Sequence, residues 1–85
     1  MTQALVFFNA QSGREEDVVK YLRTLRQVRE AYVTFGIYDG VARIEEENKD
    51  ALNDFIASKV KRYTDEKGEN PIRCTMTMII ARQDK

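Results

Sequence analysis

The sequence predicts an α+β fold with the element order β-α-β-β-α-β, and three observations carry that prediction. Apolar runs with aromatic and β-branched content stand near both ends, "QALVFFNA" at 3–10 and "IRCTMTMIIA" at 72–81. Two stretches between them have the spacing of amphipathic helices. A glycine-bounded segment, "FGIYDG" at 35–40, separates two further β-type runs.

The first run reads as a strand bounded by polar residues. It is apolar on both sides, with Ala4, Val6 and Phe8 on one and Leu5 and Phe7 on the other. "SGREEDVVKYLRTL" follows as a helix: Ser12 and Glu15 have the spacing of a capping box, and Glu16 and Asp17 suit the positive end of the helix dipole. Val18, Leu22 and Leu25, with Val19, form its apolar stripe. "VREAYVTF" is the second strand, with Ala31, Val33 and Phe35 on one side. "GVARIEE" is the third. Asn48 is the expected cap of a second helix, "KDALNDFIASKVKRY", whose Leu52, Phe55, Ile56 and Val60 share a face. "TDEKGEN" is a polar loop, expected to be the most mobile part, and Pro71 closes it. The last strand carries Cys74, Met76, Met78 and Ile80 on one side, with Ile79 and Ala81 joining Thr75 and Thr77 on the other.

Each helix has one apolar stripe, so the helices cover one face of the sheet. The first and last strands are apolar on both faces. An exposed apolar face of that extent marks an interaction surface, and a second copy packing sheet to sheet would cover it. Size points the same way. A chain of 85 residues has a small core. A single cysteine excludes an internal disulfide, and the absence of histidine argues against structural zinc. Self-association is the expected support.

Fourteen basic and fourteen acidic residues cancel, so there is no basic excess for nucleic acid. The apolar runs are too short to span a membrane, and the N-terminus lacks the pattern of a signal peptide. With a free cysteine, these features lead us to expect a cytoplasmic protein.

No catalytic constellation stands out. Without histidine, a serine or cysteine nucleophile lacks its usual base. Cys74 is expected to be an inert core thiol. Glu45, Glu46 and Glu47 read as a solvated strand-to-helix junction, and Arg43 is expected to pair with a glutamate across the strands. Met76 and Met78 suit the irregular gaps of a sheet–sheet contact. Gly13 lacks the companions of a phosphate loop. In residues 35–40, Gly36 is expected to take a positive-φ turn position, and Gly40 to relieve crowding or mark a bulge. Asp39 needs a hydrogen-bond partner. Turn N–H groups can receive a carboxylate, and an adjacent carboxylate an ammonium, which are the two ends of a free amino acid. From this segment alone, a plain turn remains the better reading.

The chain as a whole resembles the effector-binding (RAM, regulation of amino-acid metabolism) domain of the Lrp/AsnC feast/famine transcription regulators. The resemblance runs through "ALVFFNAQSGREEDVVKYL", "VREAYVTFGIYDGVARIE" and "NPIRCTMTMIIA", and is most specific at Gly36, Tyr38 and Asp39. It implies one domain over residues 1–85, without the helix-turn-helix of full-length members. The implied fold is ferredoxin-like βαββαβ with an antiparallel sheet, paired into a dimeric α/β barrel that can assemble into higher rings. The implied function is non-catalytic: binding of an amino-acid effector and oligomerisation, with mixed assembly with full-length regulators as an output. No cofactor, direct nucleic-acid contact or membrane partner is implied. Carried residue by residue, the resemblance implicates Gly36, Tyr38 and Asp39 in ligand binding, with Thr75 and Thr77 as polar partners. Phe35 stands where the family usually has threonine or serine, and Gly40 where it commonly has a large aliphatic. Two alternatives are a barrel enzyme of the small monooxygenase or isomerase type, and a ligand-free assembly module.

Overall fold

The computed structural model describes residues 1–81. Its elements are β1 (Thr2–Ala10), α1 (Glu15–Arg23), β2 (Val28–Val33), β3 (Gly40–Glu46), α2 (Lys49–Phe55), a π-helical continuation (Ile56–Lys61) and β4 (Ile72–Ile79). The strands form one sheet in the order β2-β3-β1-β4, with antiparallel neighbours throughout. This is the α+β, ferredoxin-like arrangement expected of the sequence.

The helices choose between the two apolar faces. Ala4, Val6, Phe8 and Ala10 of β1, Ala31 of β2, and Ala42 and Ile44 of β3 are buried in one cluster. Val18, Val19, Leu22, Leu52, Phe55, Ile56 and Val60 cover them. Antiparallel partners point the same way, so Thr75 and Thr77, opposite Phe8 and Val6, share this helix-side face. The other face is uncovered: Leu5, Phe7 and Val41 are half-buried, and Met76 and Met78 remain 40% and 51% exposed. Cys74 lies on this open face and is exposed, not the core thiol expected. Its apolar neighbours belong to a face that one protomer leaves open.

Gly40 is buried and paired with Phe8 across the ladder. A Cβ built there would collide with Phe8 Cζ and lie 2.6 Å and 2.9 Å from Cε2 and Cε1. The glycine therefore relieves crowding, one of its two expected roles. The Phe8 ring fills space that a side chain at position 40 would occupy.

Caps and turns depart from expectation in places. Asn48 caps α2 as expected, its side chain accepting from the Ala51 N–H at 2.8 Å. Asn48→Ala is expected to cost about 1 kcal/mol of stability, read from the urea midpoint. Ser12 does not cap α1. Gly13, at φ +82°, turns the chain between Ser12 and the helix, leaving Arg14 at the cap position with no side-chain cap bond. Glu15 instead reaches back to accept from the Gly13 N–H at 3.1 Å. The second helix does not run on as an α-helix to residue 63. It widens to π geometry after Phe55 and keeps Ile56 and Val60 buried.

The loop expected to be most mobile turns around one side chain. Asp65 Oδ1 accepts the N–H groups of Lys67 and Glu69, both at 2.9 Å, while Oδ2 meets Arg14 Nη2 at 3.0 Å. Those contacts hold the Asp65 carboxyl below the usual carboxylate range, the Glu69 N–H first among the causes.

Candidate functional site

The β2–β3 turn folds around two polar anchors. Thr34 Oγ1 donates to the Tyr38 carbonyl at 2.8 Å, and the Thr34 N–H to the Asp39 carbonyl at 2.9 Å. Gly36, at φ +139°, takes the positive-φ position assigned to it. Among the described residues, the N–H groups of Phe35, Gly36, Ile37 and Tyr38 have no intramolecular partner. Phe35 does not continue the inward alternation of β2. It is fully exposed, and Ile37 is 87% exposed, because the strand ends at Val33 and the chain turns before either can reach the core.

Asp39 has the partner its position requires. Oδ2 accepts the Ala10 N–H at 2.9 Å, while the Asp39 N–H is shared between the Phe8 carbonyl and Asn9 Oδ1, both at 2.9 Å. The turn is thereby fastened to the end of β1. Oδ1 accepts no hydrogen bond among the described residues. One oxygen thus supports the fold, and the other remains available.

Tyr38 leans over the open face. Its ring lies 5.6 Å from that of Phe7, tilted by 44°, and its hydroxyl is 3.6 Å from Met76 Sδ. Thr75 and Thr77 sit on the opposite, helix-side face of β4. Within one protomer Gly36, Tyr38 and Asp39 come together, and the two threonines do not join them on that face. Sequence reasoning passed over Phe7 and Asn9. Asn9 accepts from Asp39 and lies 3.4 Å from Cys74 Sγ through Nδ2, linking the turn to β4. A lone polar residue closing an apolar strand was the available signal.

The far end of the open face is polar. Arg43 Nε meets Glu30 Oε1 at 2.6 Å, which is the cross-strand pairing expected for Arg43, and its Nη1 donates to Gln3 Oε1 at 3.1 Å. Gln3 Nε2 donates to Glu45 Oε2 at 3.1 Å, and the Tyr32 hydroxyl to Glu30 Oε2 at 2.9 Å. The network crosses β2, β3 and β1. The Arg43 guanidinium, then the Tyr32 hydroxyl, hold the Glu30 carboxyl below its ordinary value. Among the described residues no group of acidic or thiol side chains is arranged to hold a metal ion. No helix among them is long and apolar enough to cross a membrane.

No protein-family model matches the sequence, and no curated protein matches it. Solved structures do. The chain is similar to FFRP-DM1, at 30% identity over 94% of this chain and 99% of that one, with a TM-score of 0.84. It is similar in fold to Escherichia coli AsnC, at 22% identity over 96% of this chain and 52% of AsnC, with a TM-score of 0.83. A third similar structure is the transcriptional regulator NMB0573 from Neisseria meningitidis, solved as an L-Met complex. That match has 13% identity, spans 99% of this chain and 52% of the regulator, and has a TM-score of 0.79.

Proposed function

The chain belongs to the Lrp/AsnC family of feast/famine regulators, and on that premise we propose that it is a non-catalytic domain that self-associates and binds an amino acid at the resulting interface. The observation that carries the reading is the open sheet face, whose apolar half runs through Leu5, Phe7, Met76 and Met78 up to Tyr38 and the turn. A second copy facing it would bury those side chains and form the dimeric barrel. Mixed assembly with full-length regulators would use the same surface.

The chemistry of the turn supports an amino acid as the ligand. Its unpartnered N–H groups suit a carboxylate, and Asp39 Oδ1 suits an ammonium. Side-chain selection would fall to Tyr38 and to open-face residues that assembly brings near; Thr75 and Thr77, on the helix-side face of β4, would contribute only from a further neighbouring copy. The reading is non-catalytic because Arg43, the cation of the open face, is already held by Glu30 and Gln3, and the similar structures include a transcriptional regulator. An amino-acid ligand has a precedent in the L-Met complex of NMB0573.

Light scattering after gel filtration should give at least a dimer, and calorimetric titration with the common amino acids, L-methionine included, should give saturable heat. Asp39→Asn keeps an acceptor for the Ala10 N–H and removes the charge. It should fold like the parent and bind about tenfold more weakly, since a charge-assisted bond is worth ~1.5–3 kcal/mol. A stable monomer sinks the assembly claim. Heat from none of the amino acids, or binding unchanged by Asp39→Asn, sinks the ligand claim.

A further inference from the structure

A concavity, remote from the β2–β3 turn in the chain, opens between α1 and the loop that follows the π-helical segment. It measures about 660 Å³, within the ~300–1,000 Å³ typical of small-molecule sites. Its aromatic wall is Tyr21 and Tyr63, stacked at 3.7 Å with their planes within 18°. Both are pinned. The Tyr21 hydroxyl donates to the Lys59 carbonyl at 2.7 Å, in the π-helical segment, a geometry often found at functional sites. Tyr63 leads directly into the Asp65 loop, which Arg14 ties to the start of α1.

Charge narrows what the groove would hold. Arg14, Lys20 and Lys67 face Asp17, Asp65 and Glu66, so the lining has no net charge. The pairing is uneven. Asp17 and Asp65 are both taken up by Arg14, at 2.8 and 3.0 Å, whereas Lys20 and Lys67 make no ion pair among the described residues. Two free ammonium groups beside an aromatic wall suit one carboxylate on a flat ring. A phosphate or other multiply charged anion would meet Glu66, which makes no ion pair among the described residues. Burial pushes both tyrosine hydroxyls up from their ordinary values.

We propose that this groove is a second ligand site, contained within one protomer, for a small planar aromatic carboxylate that packs on the Tyr21–Tyr63 wall and is neutralised by Lys20 and Lys67. It is separate from Asp39 and from the open sheet face, because its lining lies on α1 and on the chain between Tyr63 and Lys67. That distinguishes it from the interface site.

The test is a titration of the 15N-labelled protein followed by amide shifts, with phenylpyruvate, L-phenylalanine, cyclohexanecarboxylate and inorganic phosphate as probes. Phenylpyruvate is expected to give saturable shifts around residues 20–21 and 63–67, with Kd about millimolar or tighter for a ligand of that size. Tyr63→Phe should retain binding, while Tyr63→Leu and the Lys20→Gln/Lys67→Gln pair should each weaken it about tenfold. Asp39→Asn should leave it unchanged. Comparable binding of L-phenylalanine would place the ligand among aromatic amino acids; its absence would confine the ligand to acids without an ammonium. No saturable shift with either aromatic probe overturns the proposal. Equal response to phosphate or cyclohexanecarboxylate, or sensitivity to Asp39→Asn and not to Tyr63→Leu, does so too.

Discussion

Gly40→Val is expected to destabilise the protein by about 3 kcal/mol, the upper range for overpacking a filled core. The cause is steric and not conformational, because Gly40 is not among the glycines at positive φ. Its missing Cβ leaves the space that the Phe8 ring occupies, with ring carbons at 2.6 and 2.9 Å from where that atom would lie. Phe8 is wholly buried and anchors the centre of the core. Truncating it alone, Phe8→Ala, should cost ~3–5 kcal/mol. The double variant Phe8→Ala/Gly40→Val should cost clearly less than the sum, with a coupling of about 1 kcal/mol or more, because one change vacates what the other fills. Urea unfolding of the four proteins measures the cycle. Strict additivity would show that the two positions do not share that volume.

Met76→Asp should abolish assembly while leaving the protomer's own packing nearly untouched. Met76 is 40% exposed in the protomer and central to the open face, between Phe7 on the neighbouring strand and the Tyr38 hydroxyl. A carboxylate there costs little in water and a great deal once a second sheet covers it. We expect association at least about 100-fold weaker, equivalent to ~2.7 kcal/mol. Two readouts check it. Light scattering should fall to the protomer mass at micromolar protein. The melting temperature should lose the rise with concentration expected of the parent, since association stabilises only the folded chain. Met76→Leu should behave as the parent. An unchanged mass for Met76→Asp would move the interface off this face.

Much of this was legible in the residues, for physical reasons that differ by position. Val18, Leu22, Leu52, Phe55, Ile56 and Val60 announced their burial through helical spacing, which is set by covalent geometry. Asn48 announced its cap because side-chain chemistry at a helix start is local. Gly36 announced a positive φ for the same reason. Where a competing local geometry existed, the sequence misled. Ser12 with Glu15 fits a capping box, yet Gly13 turned the chain and the carboxylate found the Gly13 N–H instead. Phe35 fits the alternation of β2, but that strand stops two residues earlier. The contact between Asp65 of the 64–70 loop and Arg14, some fifty positions away in the chain, left no mark in the loop's own sequence.

The candidate site divides along the same line. Gly36, Tyr38 and Asp39 were readable together because they are neighbours in one turn. That Asp39 would spend one oxygen on Ala10, and that Asn9 would bridge the turn to Cys74, depends on β1 ending beside the turn. The stacked Tyr21 and Tyr63 lie on α1 and on the loop after the π-helical segment, and their contact left no local signal in the sequence.

By itself, the sequence determined the β-α-β-β-α-β order, the two helical stripes, the turn at residues 35–40, and the fact that both faces of the first and last strands are apolar. A period of two sorts Leu5 and Phe7 from Val6 and Phe8, but it does not say which set meets the helices. That choice, and with it the exposure of Cys74, Met76 and Met78, was decided by the tertiary structure. Phe8 needs the hollow over Gly40, and only the face that Gly40 shares with Ala31, Ala42 and Ile44 lets the helices close over that ring.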